Sequence, residues 1–373
     1  MNRPVLDVRW IHGSPPGGPA DPVIQVHTVD DATFILRQSK DVNYEAPFLY
    51  LLCGAERALL LDTGAVADGG VRQAVDGLLS ERYAGAPGYQ LVVAHTHGHG
   101  DHVAGDGQFA DRPGTTVVGH GVAAVQDFFG FANWPEEVVT FDLGGRELEV
   151  TGSPGHHAAA ITVYDPATGF LLTGDTVYRG RLYAPDMPAF VASLDRMTEF
   201  AAARPVSHVL GCHIEMTRRP NRDYPLGCLY QPNEPPPQMT VAQLAAVRDG
   251  AHLAAGQPGV HAFGDFYIYN GPCKRAMAWQ MVRGAASRAR RKLTLSRELS
   301  REPQGFRGRR SLFGQAYFCT MAPRFGRAAS MCLPAPLRTA LYALMTVGRR
   351  ERSRMSSVTA SKASDTSLDR FAR

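Results

Sequence analysis

Apolar residues follow two different patterns along the first 270 positions of the chain. The runs at 48–52 and 91–94 are short and continuous, as is typical of buried strands. Further strands are predicted at 34–36, 58–61, 115–118, 148–150, 161–164, 170–173 and 263–269, and helical spacing of apolar residues predicts helices at 71–80, 190–203 and 241–255. This mixture of strands and helices predicts an α/β fold.

A histidine-rich segment, HTHGHGDH, occupies residues 95–102 and directly follows the run at 91–94. A buried strand that ends in such a turn delivers side chains to the end of a sheet, and Gly98 and Gly100 would let the backbone bend there. Imidazole and carboxylate groups are ligands of zinc, iron and manganese. We therefore predict a metal site at this strand end, with His95 in a supporting role and the ligands His97, His99, Asp101 and His102.

The H-x-H-x-D-H spacing after a strand resembles the signature of the metallo-β-lactamase superfamily. Three later segments match that family's motifs in the expected order: SPGH at 153–156, LLTGDT at 171–176 and VLGCH at 209–213. The resemblance extends over roughly residues 30–270 and implies a four-layer αββα sandwich. It also implies one metal ion bound by His97, His99 and His156, a second bound by Asp101, His102 and His213, and Asp175 bridging the two.

Two divalent metal ions in one site predict a hydrolase. Such a pair can share a hydroxide that attacks a carbonyl carbon, and it can stabilise the oxyanion that forms. A bridging carboxylate such as Asp175 offsets the repulsion between the ions, and Asp101 has a second predicted role in orienting the water or accepting its proton. The expected cofactors are two divalent ions, with Zn preferred and Fe or Mn left open.

Residues next to the ligand motifs are candidates for contact with the substrate. Tyr178 lies three residues after Asp175, a spacing that resembles the lactone-opening branch of the family, and this predicts a phenol that donates a proton. An aromatic wall of the pocket is the alternative role for Tyr178. Arg179 and Arg181 are candidates for binding an acidic substrate, with an ordinary solvated charge run as the alternative for each of them. Tyr44 is expected to face the mouth of the site.

The resemblance to the glyoxalase II and lactonase branches implies hydrolysis of a small ester, thioester or lactone. A mononuclear iron persulfide dioxygenase keeps part of the same ligand set and is the first alternative. A nuclease is ranked last, because the gap between Asp175 and His213 is too short for the extra domain that RNA-processing relatives insert. A non-catalytic scaffold is disfavoured because all seven ligands are present.

Charge divides the chain at about Gly271. The chain contains 39 Lys and Arg and 35 Asp and Glu; 22 basic and 5 acidic residues follow this position, so the net charge is −13 before it and +17 after it. We predict an N-terminal loop segment at 1–29, a catalytic domain at 30–270 and a basic, low-order C-terminal extension at 271–373. The extension is either dispensable or a non-specific contact for nucleic acid or an anionic surface, through basic runs at 288–292, 307–310 and 349–352.

Three observations bear on the location of the protein. The six cysteines show no close spacing, and the first ten residues contain no apolar signal segment. No apolar run is long enough to span a bilayer. Reduced thiols and a cytoplasmic location are therefore expected.

Overall fold

The structure is a computed structural model that describes residues 6–83 and 88–299, with side chains described to residue 296. Two six-stranded sheets form its centre. The first contains, in order across the sheet, β1 (Ile24–Asp30), β2 (Thr33–Gln38), β3 (Phe48–Cys53), β4 (Arg57–Leu61), β5 (Gln90–Ala94) and β6 (Thr115–Val117). Neighbouring strands are antiparallel from β1 to β4 and parallel from β4 to β6.

The second sheet and a small third sheet complete the strands. In order across the second sheet are β13 (Gln238–Met239), β12 (His208–Gly211), β10 (Phe170–Gly174), β9 (Ile161–Asp165), β8 (Glu147–Gly152) and β7 (Val138–Asp142). In this sheet β10 and β12 are parallel, and the other neighbours are antiparallel. The third sheet contains β11 (Arg181–Ala184), β15 (Tyr267–Asn270) and β14 (Gly259–Ala262).

Six α-helices are described, and two of them begin with clear capping interactions. They are α1 (Val71–Tyr83), α2 (Gly100–Val103), α3 (Val122–Phe129), α4 (Met187–Ala202), α5 (Val241–Ala255) and α6 (Lys274–Leu299). Asp186 accepts a hydrogen bond from the Ala189 amide at the start of α4, and Thr240 and Gln243 form a capping box at the start of α5. Within the described residues, no helix is long and apolar enough to cross a membrane.

The alternation of side chains along the central strands explains the layering. Tyr50 of β3 and Leu172 of β10 point into the core between the two sheets. Leu51 of β3 packs against α1 on the outside, and Leu171 of β10 packs against α4 and α5 on the opposite outside. The chain therefore has the four-layer αββα architecture that was predicted. Both faces of the central strands are buried, which is why these strands read as continuous apolar runs.

The strands that the pattern failed to predict lie at the edges of the sheets or in the small sheet. β1 and β7 alternate between exposed and partly buried residues, so neither contains an apolar run. The predicted N-terminal loop segment 1–29 is wrong at its end, because the residues from Ile24 onward belong to β1 and pair with β2. The segment 263–269 is a strand only from Tyr267 onward, and β11 and β14 were not predicted at all.

The described part of the segment after Gly271, up to residue 299, differs from the low-order extension that its composition predicts. It contains the long helix α6, whose polar side chains bond to the rest of the domain. Arg283 and Gln280 contact Asp223 at 2.8 Å and 2.6 Å, and Arg291 donates to the Ser14 carbonyl at 2.6 Å. The described residues on both sides of Gly271, through the end of α6, accordingly belong to one compact unit. The basic runs at 307–310 and 349–352 lie outside the described residues.

Candidate metal centre

Several strands end at one edge of the sandwich, and the residues that follow them form a single cluster. Asp62 follows β4, His97 lies beyond β5, Asp175 follows β10 and His213 lies beyond β12. β4 is parallel to β5 and β10 is parallel to β12, so each pair delivers side chains to the same end of its sheet. The loop between β8 and β9 adds His156. The motifs that are distant in sequence thus meet where the two sheets face each other.

Two glycines of the ligand motifs occupy positions that only glycine fits. Gly155 of the Pro-Gly-His turn has φ of 133°, and a Cβ atom there would lie 2.3 Å from Phe190 Cα. Gly174 has φ of 53°, and a Cβ atom there would lie 2.6 Å from Thr96 Cβ. Both backbone conformations are rarely adopted by other residues. These glycines let the turns that hold His156 and Asp175 pack closely against neighbouring elements.

The first half of the cluster consists of three imidazoles, those of His97, His99 and His156. His97 Nε2 lies 2.9 Å from His99 Nδ1, and His156 Nε2 lies 3.0 Å from the same atom. His97 and His156 are buried, whereas His99 is exposed. This half therefore opens to solvent at His99.

The second half of the cluster consists of Asp101, His102 and His213. His213 Nε2 lies 3.3 Å from Asp101 Oδ2 and 3.4 Å from His102 Nε2. His102 Nε2 lies 3.5 Å from Asp101 Oδ2. Both histidines are buried, and Asp101 is partly exposed in the first turn of α2. These ligand atoms are thus slightly farther apart than the pairs at 2.9 Å and 3.0 Å in the first half.

Asp175 lies between the two halves. Its Oδ2 atom is 3.8 Å from His156 Nε2 and 4.0 Å from His97 Nε2, in the first half. The same oxygen is 3.6 Å from His102 Nε2, and Oδ1 is 3.4 Å from His213 Nε2, in the second half. One carboxylate therefore borders four imidazoles, which is the position predicted for a bridging ligand.

Backbone carbonyls fix the orientation of one imidazole in each half. His156 Nδ1 donates to the Tyr183 carbonyl at 2.9 Å, and His213 Nδ1 donates to the Glu45 carbonyl at 3.2 Å. A carbonyl oxygen only accepts hydrogen bonds, so each ring carries its proton on Nδ1. The Nε2 lone pairs of both rings consequently face the cluster, as metal ligands require.

A carboxylate plays the same part for His102. Asp62 Oδ2 lies 2.8 Å from His102 Nδ1, and both groups are buried. Thr96 donates to Asp62 from its amide at 2.8 Å and from its hydroxyl at 2.9 Å. These hydrogen bonds fix Asp62, which in turn orients the His102 ring. Cys212 Sγ lies 3.3 Å from Asp62 Oδ2 in the buried core.

The pKa values of the histidines shift in opposite directions in the two halves. Burial lowers the pKa of all three imidazoles of the first half. Burial would also lower the pKa of His213, but Asp175 and Asp101 raise it to about 9. Burial would raise the pKa of Asp175, but His213 and His102 lower it to about 2. The second half therefore combines ionised carboxylates with imidazoles that attract protons strongly.

The donor atoms of the cluster suit divalent metal ions. Asp175 Oδ1 is buried and has no hydrogen-bond donor, although His213 Nε2 approaches it. This oxygen and the converging imidazole lone pairs need a cation to offset them. Imidazole nitrogen and carboxylate oxygen are the ligand types of Zn, Fe and Mn. Each half could hold one such ion, with Asp175 shared.

Tyr178 lies beside the cluster, but its hydroxyl already donates a hydrogen bond within the protein. The hydroxyl donates to the Arg181 carbonyl at 2.7 Å and lies 3.1 Å from Glu215 Oε2. The Tyr178 ring is buried at a centroid distance of 5.7 Å from the His213 ring. This geometry favours the alternative role of Tyr178 as an aromatic wall over its predicted role as a proton donor.

The two arginines predicted to bind an acidic substrate are paired with carboxylates of the protein. Arg179 forms an ion pair with Asp265, and buried Arg181 forms ion pairs with Glu215 and Asp223. Neither arginine lines the cavity at the cluster. The structure thus differs from the prediction, because the charge of both side chains is already offset within the domain.

The cavity at the cluster has a volume of about 260 Å³ and includes residues that sequence reasoning missed. Tyr44, predicted to face the mouth of the site, is exposed and does not line the cavity itself, but it directly precedes the lining residue Glu45. Glu45 lines the cavity and is the next residue after the candidate Tyr44, so it could have been predicted from the sequence. Met277 belongs to α6, in the region that composition assigns to the extension. No sequence motif or spacing indicated that it would line the cavity. The missed lining residues are Glu45, Tyr183, Pro185, Glu215, Leu226 and Met277.

His95 belongs to a neighbouring group rather than to the cluster itself. His95 Nε2 lies 2.8 Å from Asp106 Oδ1, and His120 Nε2 lies 2.7 Å from Asp106 Oδ2. Gly98 and Gly100 do not have the positive φ expected of tight bends. Gly98 instead permits close approach of His120, whose Cβ would lie 3.1 Å from a Cβ at position 98.

A larger cavity, of about 820 Å³, lies against Trp10 and Met239 and contains no residue of the cluster. Size alone would favour it as a binding site. We place the candidate site in the smaller cavity, because that one contains the converging ligand atoms.

Comparison with known proteins gives one family and two kinds of relative. Residues 45–202 match the sequence model of the Metallo-beta-lactamase superfamily. The chain is 31% identical over 160 residues to a hydroxyacylglutathione hydrolase of Synechococcus sp. (strain JA-3-3Ab), a match that covers 42% of this chain and 60% of that relative. It is 28% identical over 205 residues to an acyl-coenzyme A thioesterase of Homo sapiens, covering 44% of this chain and 72% of that relative.

The matches with the hydroxyacylglutathione hydrolases are partial. This chain spans 47% of the length of one of them, from Chelativorans sp. (strain BNC1), and 60% of the Synechococcus protein. Among solved structures, a metallo-beta-lactamase from Pontibacter korlensis is 21% identical, with a TM-score of 0.39, over 51% of this chain and 91% of that chain.

Proposed function

We propose that the chain, whose residues 45–202 match the sequence model of the Metallo-beta-lactamase superfamily, is a hydrolase dependent on two divalent metal ions. The observation that carries the proposal is the pair of ligand groups that share Asp175. When bound, such ions lower the pKa of a coordinated water and polarise a substrate carbonyl. Zinc is the proposed metal, and Fe and Mn suit the same ligands.

A small acyl thioester is the proposed substrate class. The names of the relatives support it, since one acts on an acyl group carried by glutathione and another on acyl-coenzyme A. The cavity of about 260 Å³ suits a small acyl group. Hydrolysis joins a water oxygen to the acyl carbon and breaks the C–S bond, which yields a carboxylic acid and a thiol. Esters and lactones undergo the same carbonyl chemistry and are the next candidates.

Asp101 is the side chain proposed to orient the attacking water. It lines the cavity, and its Oδ2 atom lies 3.3 Å from His213 Nε2. Burial would raise the pKa of Asp101, but His102 and His213 hold it below its usual range. The carboxylate is therefore ionised at neutral pH, as a group that orients the attacking water must be.

Tyr183 replaces Tyr178 as the proposed proton donor to the substrate. Tyr183 lines the cavity, and its hydroxyl accepts a hydrogen bond from Arg181 Nε at 3.2 Å, which leaves its own proton unused in that bond. Burial raises the pKa of Tyr183, so the phenol stays protonated, as a donor must. Tyr183→Phe should lower kcat by roughly 10²–10⁴-fold, the range for a positioned acid.

Tyr178→Phe is the matched control, because it removes a phenol that already donates within the protein. Its kcat should stay closer to that of the unmodified enzyme, and metal content should be the same in both variants. A larger loss of kcat for Tyr178→Phe than for Tyr183→Phe would restore Tyr178 as the proton donor.

Metal analysis combined with a substrate panel tests the proposed function. The full chain, purified without chelators, should hold two divalent ions and hydrolyse small thioesters, and a chelator should abolish turnover until Zn is added back. Protein that holds two ions but hydrolyses no thioester, ester or lactone would contradict the proposal. One tightly bound iron with oxygen consumption on a persulfide would support the dioxygenase instead.

Binding of polyanions and a cytoplasmic location stay predictions. In the run 288–292, Arg288 and Arg291 donate to the carbonyls of Gly227 and Ser14. These two side chains are therefore used within the domain. The other basic runs lie beyond the part of the chain that the structure describes.

A further inference from the structure

One side of helix α6 packs closely against the rest of the domain. Gln280 is buried, and a Cβ atom at Gly284 would lie 1.8 Å from the Leu226 carbonyl oxygen, so the helix touches the backbone of the domain there. Seven residues farther on, Arg291 donates to the Ser14 carbonyl at 2.6 Å. Positions separated by four and seven residues lie on one stripe of a helix. These contacts therefore fix which side of α6 faces away from the domain.

The opposite side of α6 is apolar. Between 278 and 289, the exposed residues are Trp279, Met281, Val282 and four alanines, together with Arg288 at the edge. Arg288 turns towards the domain and donates to a backbone carbonyl there at 3.5 Å. Trp279 is 63% exposed and Val282 is 58% exposed. We call this surface, which Leu293 extends, the outer face of α6. The outward side of a surface helix is ordinarily polar, so this apolar face marks a contact surface.

Basic residues border the outer face at both ends. Lys274 and Arg275 lie at the start of α6, Arg290 and Lys292 lie towards its end, and all four are exposed. None of the four forms an ion pair within the part of the chain that the structure describes, where the ion pairs of α6 are made by Arg283 and Arg291. No Asp or Glu occurs in α6 before its last turn. The charges at both ends of the outer face are thus available to an anionic partner.

Charge decides between the partners that an apolar helix face could contact. A second copy of the chain would bring two basic helices together, and the 74 residues after α6 add 14 Lys and Arg against 4 Asp and Glu. Like charges across an interface oppose association. Nucleic acid is bound through its phosphates, and the middle of the outer face carries no charged residue to contact them. An anionic lipid surface suits both features, because its headgroups attract Lys and Arg while its acyl region accepts apolar side chains.

We propose that the outer face of α6 docks the protein on the surface of an anionic lipid bilayer. Trp279, Val282 and Leu293 enter the boundary between headgroups and acyl chains, where Trp is particularly favoured. The basic residues at both ends of the face contact the headgroups. The inner side of α6 keeps its contacts with the domain, so docking requires no rearrangement of the helix. This role is separate from the proposed hydrolysis and does not depend on it.

Tryptophan fluorescence with brominated lipids tests the proposal. The full chain should bind phosphatidylcholine vesicles that contain about one third phosphatidylserine, and bromine atoms in the acyl chains should quench its fluorescence. Trp279→Phe should bind the same vesicles but lose this quenching, since Trp10 is buried and Trp134 is partly buried away from α6. Bromine in the acyl chains quenches only a side chain that enters the bilayer. The readout therefore excludes binding that the basic residues after α6 make to headgroups alone.

Affinity for the same vesicles, measured by cosedimentation, separates the apolar and basic parts of the surface. Trp279→Ser should lower the affinity by about tenfold or more, the effect of losing the burial of one large apolar side chain. Leu253→Ser is the matched control, because Leu253 is 74% exposed on α5, and its affinity should not change. Arg290→Gln should lower the affinity by about fivefold at low salt, the contribution of one basic residue near an anionic surface. Thermal unfolding checks that all variants fold.

Several results would overturn the proposal. These are no binding to the anionic vesicles, equal binding to pure phosphatidylcholine, binding without quenching, and binding that Trp279→Ser leaves unchanged. Acrylamide added without vesicles should quench the fluorescence that Trp279→Phe removes, and failure to do so would show that the chain itself already covers the outer face. A dimer in analytical ultracentrifugation that Trp279→Ser dissociates would assign the face to a second copy.

Discussion

The two halves of the metal centre present their ligand atoms by different chemistry. The first half offers three imidazoles whose pKa is lowered by burial, so they are neutral and ready to bind. The second half offers Asp101 beside His102 and His213, and Asp62 stands behind His102. The carboxylates there raise the pKa of both histidines above the ordinary value, although burial alone would lower it.

This difference indicates what each half requires of its surroundings. The first half contributes no negative charge of its own, so it depends on Asp175 to offset the charge of a metal ion. The second half has ample negative charge, but a metal ion must displace protons from its histidines before it binds. Three predictions test this contrast, beginning with the largest expected effect.

Asp175→Ala should reduce metal binding in both halves, because this carboxylate lies within 4.0 Å of ligand nitrogens in each. We expect hydrolysis to fall by more than about 100-fold, the upper end of the loss for residues that only orient a ligand. Elemental analysis and kcat measure the outcome. Asp127→Ala, on the exposed surface of α3, is the control. Two retained ions per chain would show that Asp175 is not shared.

Asp62→Asn should weaken metal binding in the second half by roughly 10–100-fold, as is typical of partners that orient a histidine ligand. The amide keeps the shape of Asp62 but removes the charge beside His102. The first half has no contact with Asp62, so its affinity should change little. Stepwise titration with Co²⁺, followed by its absorption spectrum, resolves the two binding events. Equal weakening of both events would contradict a role of Asp62 that is confined to the second half.

Lowering the pH should release the metal ion of the second half first. A metal ion binds the deprotonated imidazole, and the pKa of His213 without metal is about 9. Metal affinity of the second half should therefore fall as the pH decreases below about 9. The first half should keep its affinity until the pH is below 6.5, since burial lowers the pKa of its imidazoles from that value. Metal titrations across this range measure the order, and loss from the first half at higher pH would contradict it.

The residues that form the cluster could be picked out from sequence because each belongs to a short motif close to a strand end. His97 and Asp175 come shortly after apolar runs, so the strand that positions each one is visible in the same few residues. The edge strands β1 and β7 could not be predicted in this way, because only part of their surface is buried and their pattern is mixed.

The wall of the cavity could not be predicted, because its residues acquire their roles through contacts between distant segments. Arg181 reads as a substrate-binding cation, yet Glu215 and Asp223 neutralise it in the folded chain. Met277 reads as part of a basic extension, yet it reaches the cavity because α6 is bound to the domain through Asp223. Sequence motifs report the metal site, whereas specificity depends on tertiary contacts that leave no local pattern.

The place of α6 in the chain has a consequence for synthesis on the ribosome. All seven proposed ligands precede residue 214, while the cavity wall is completed by Met277. Nascent chains generally fold from the N-terminal side as they emerge. A nascent chain that has released His213 but not α6 would therefore possess every metal ligand while its cavity still lacked one wall. Each molecule would therefore be able to bind metal ions before its cavity could select a substrate. A chain arrested at this length would be a metal-binding protein without a defined substrate.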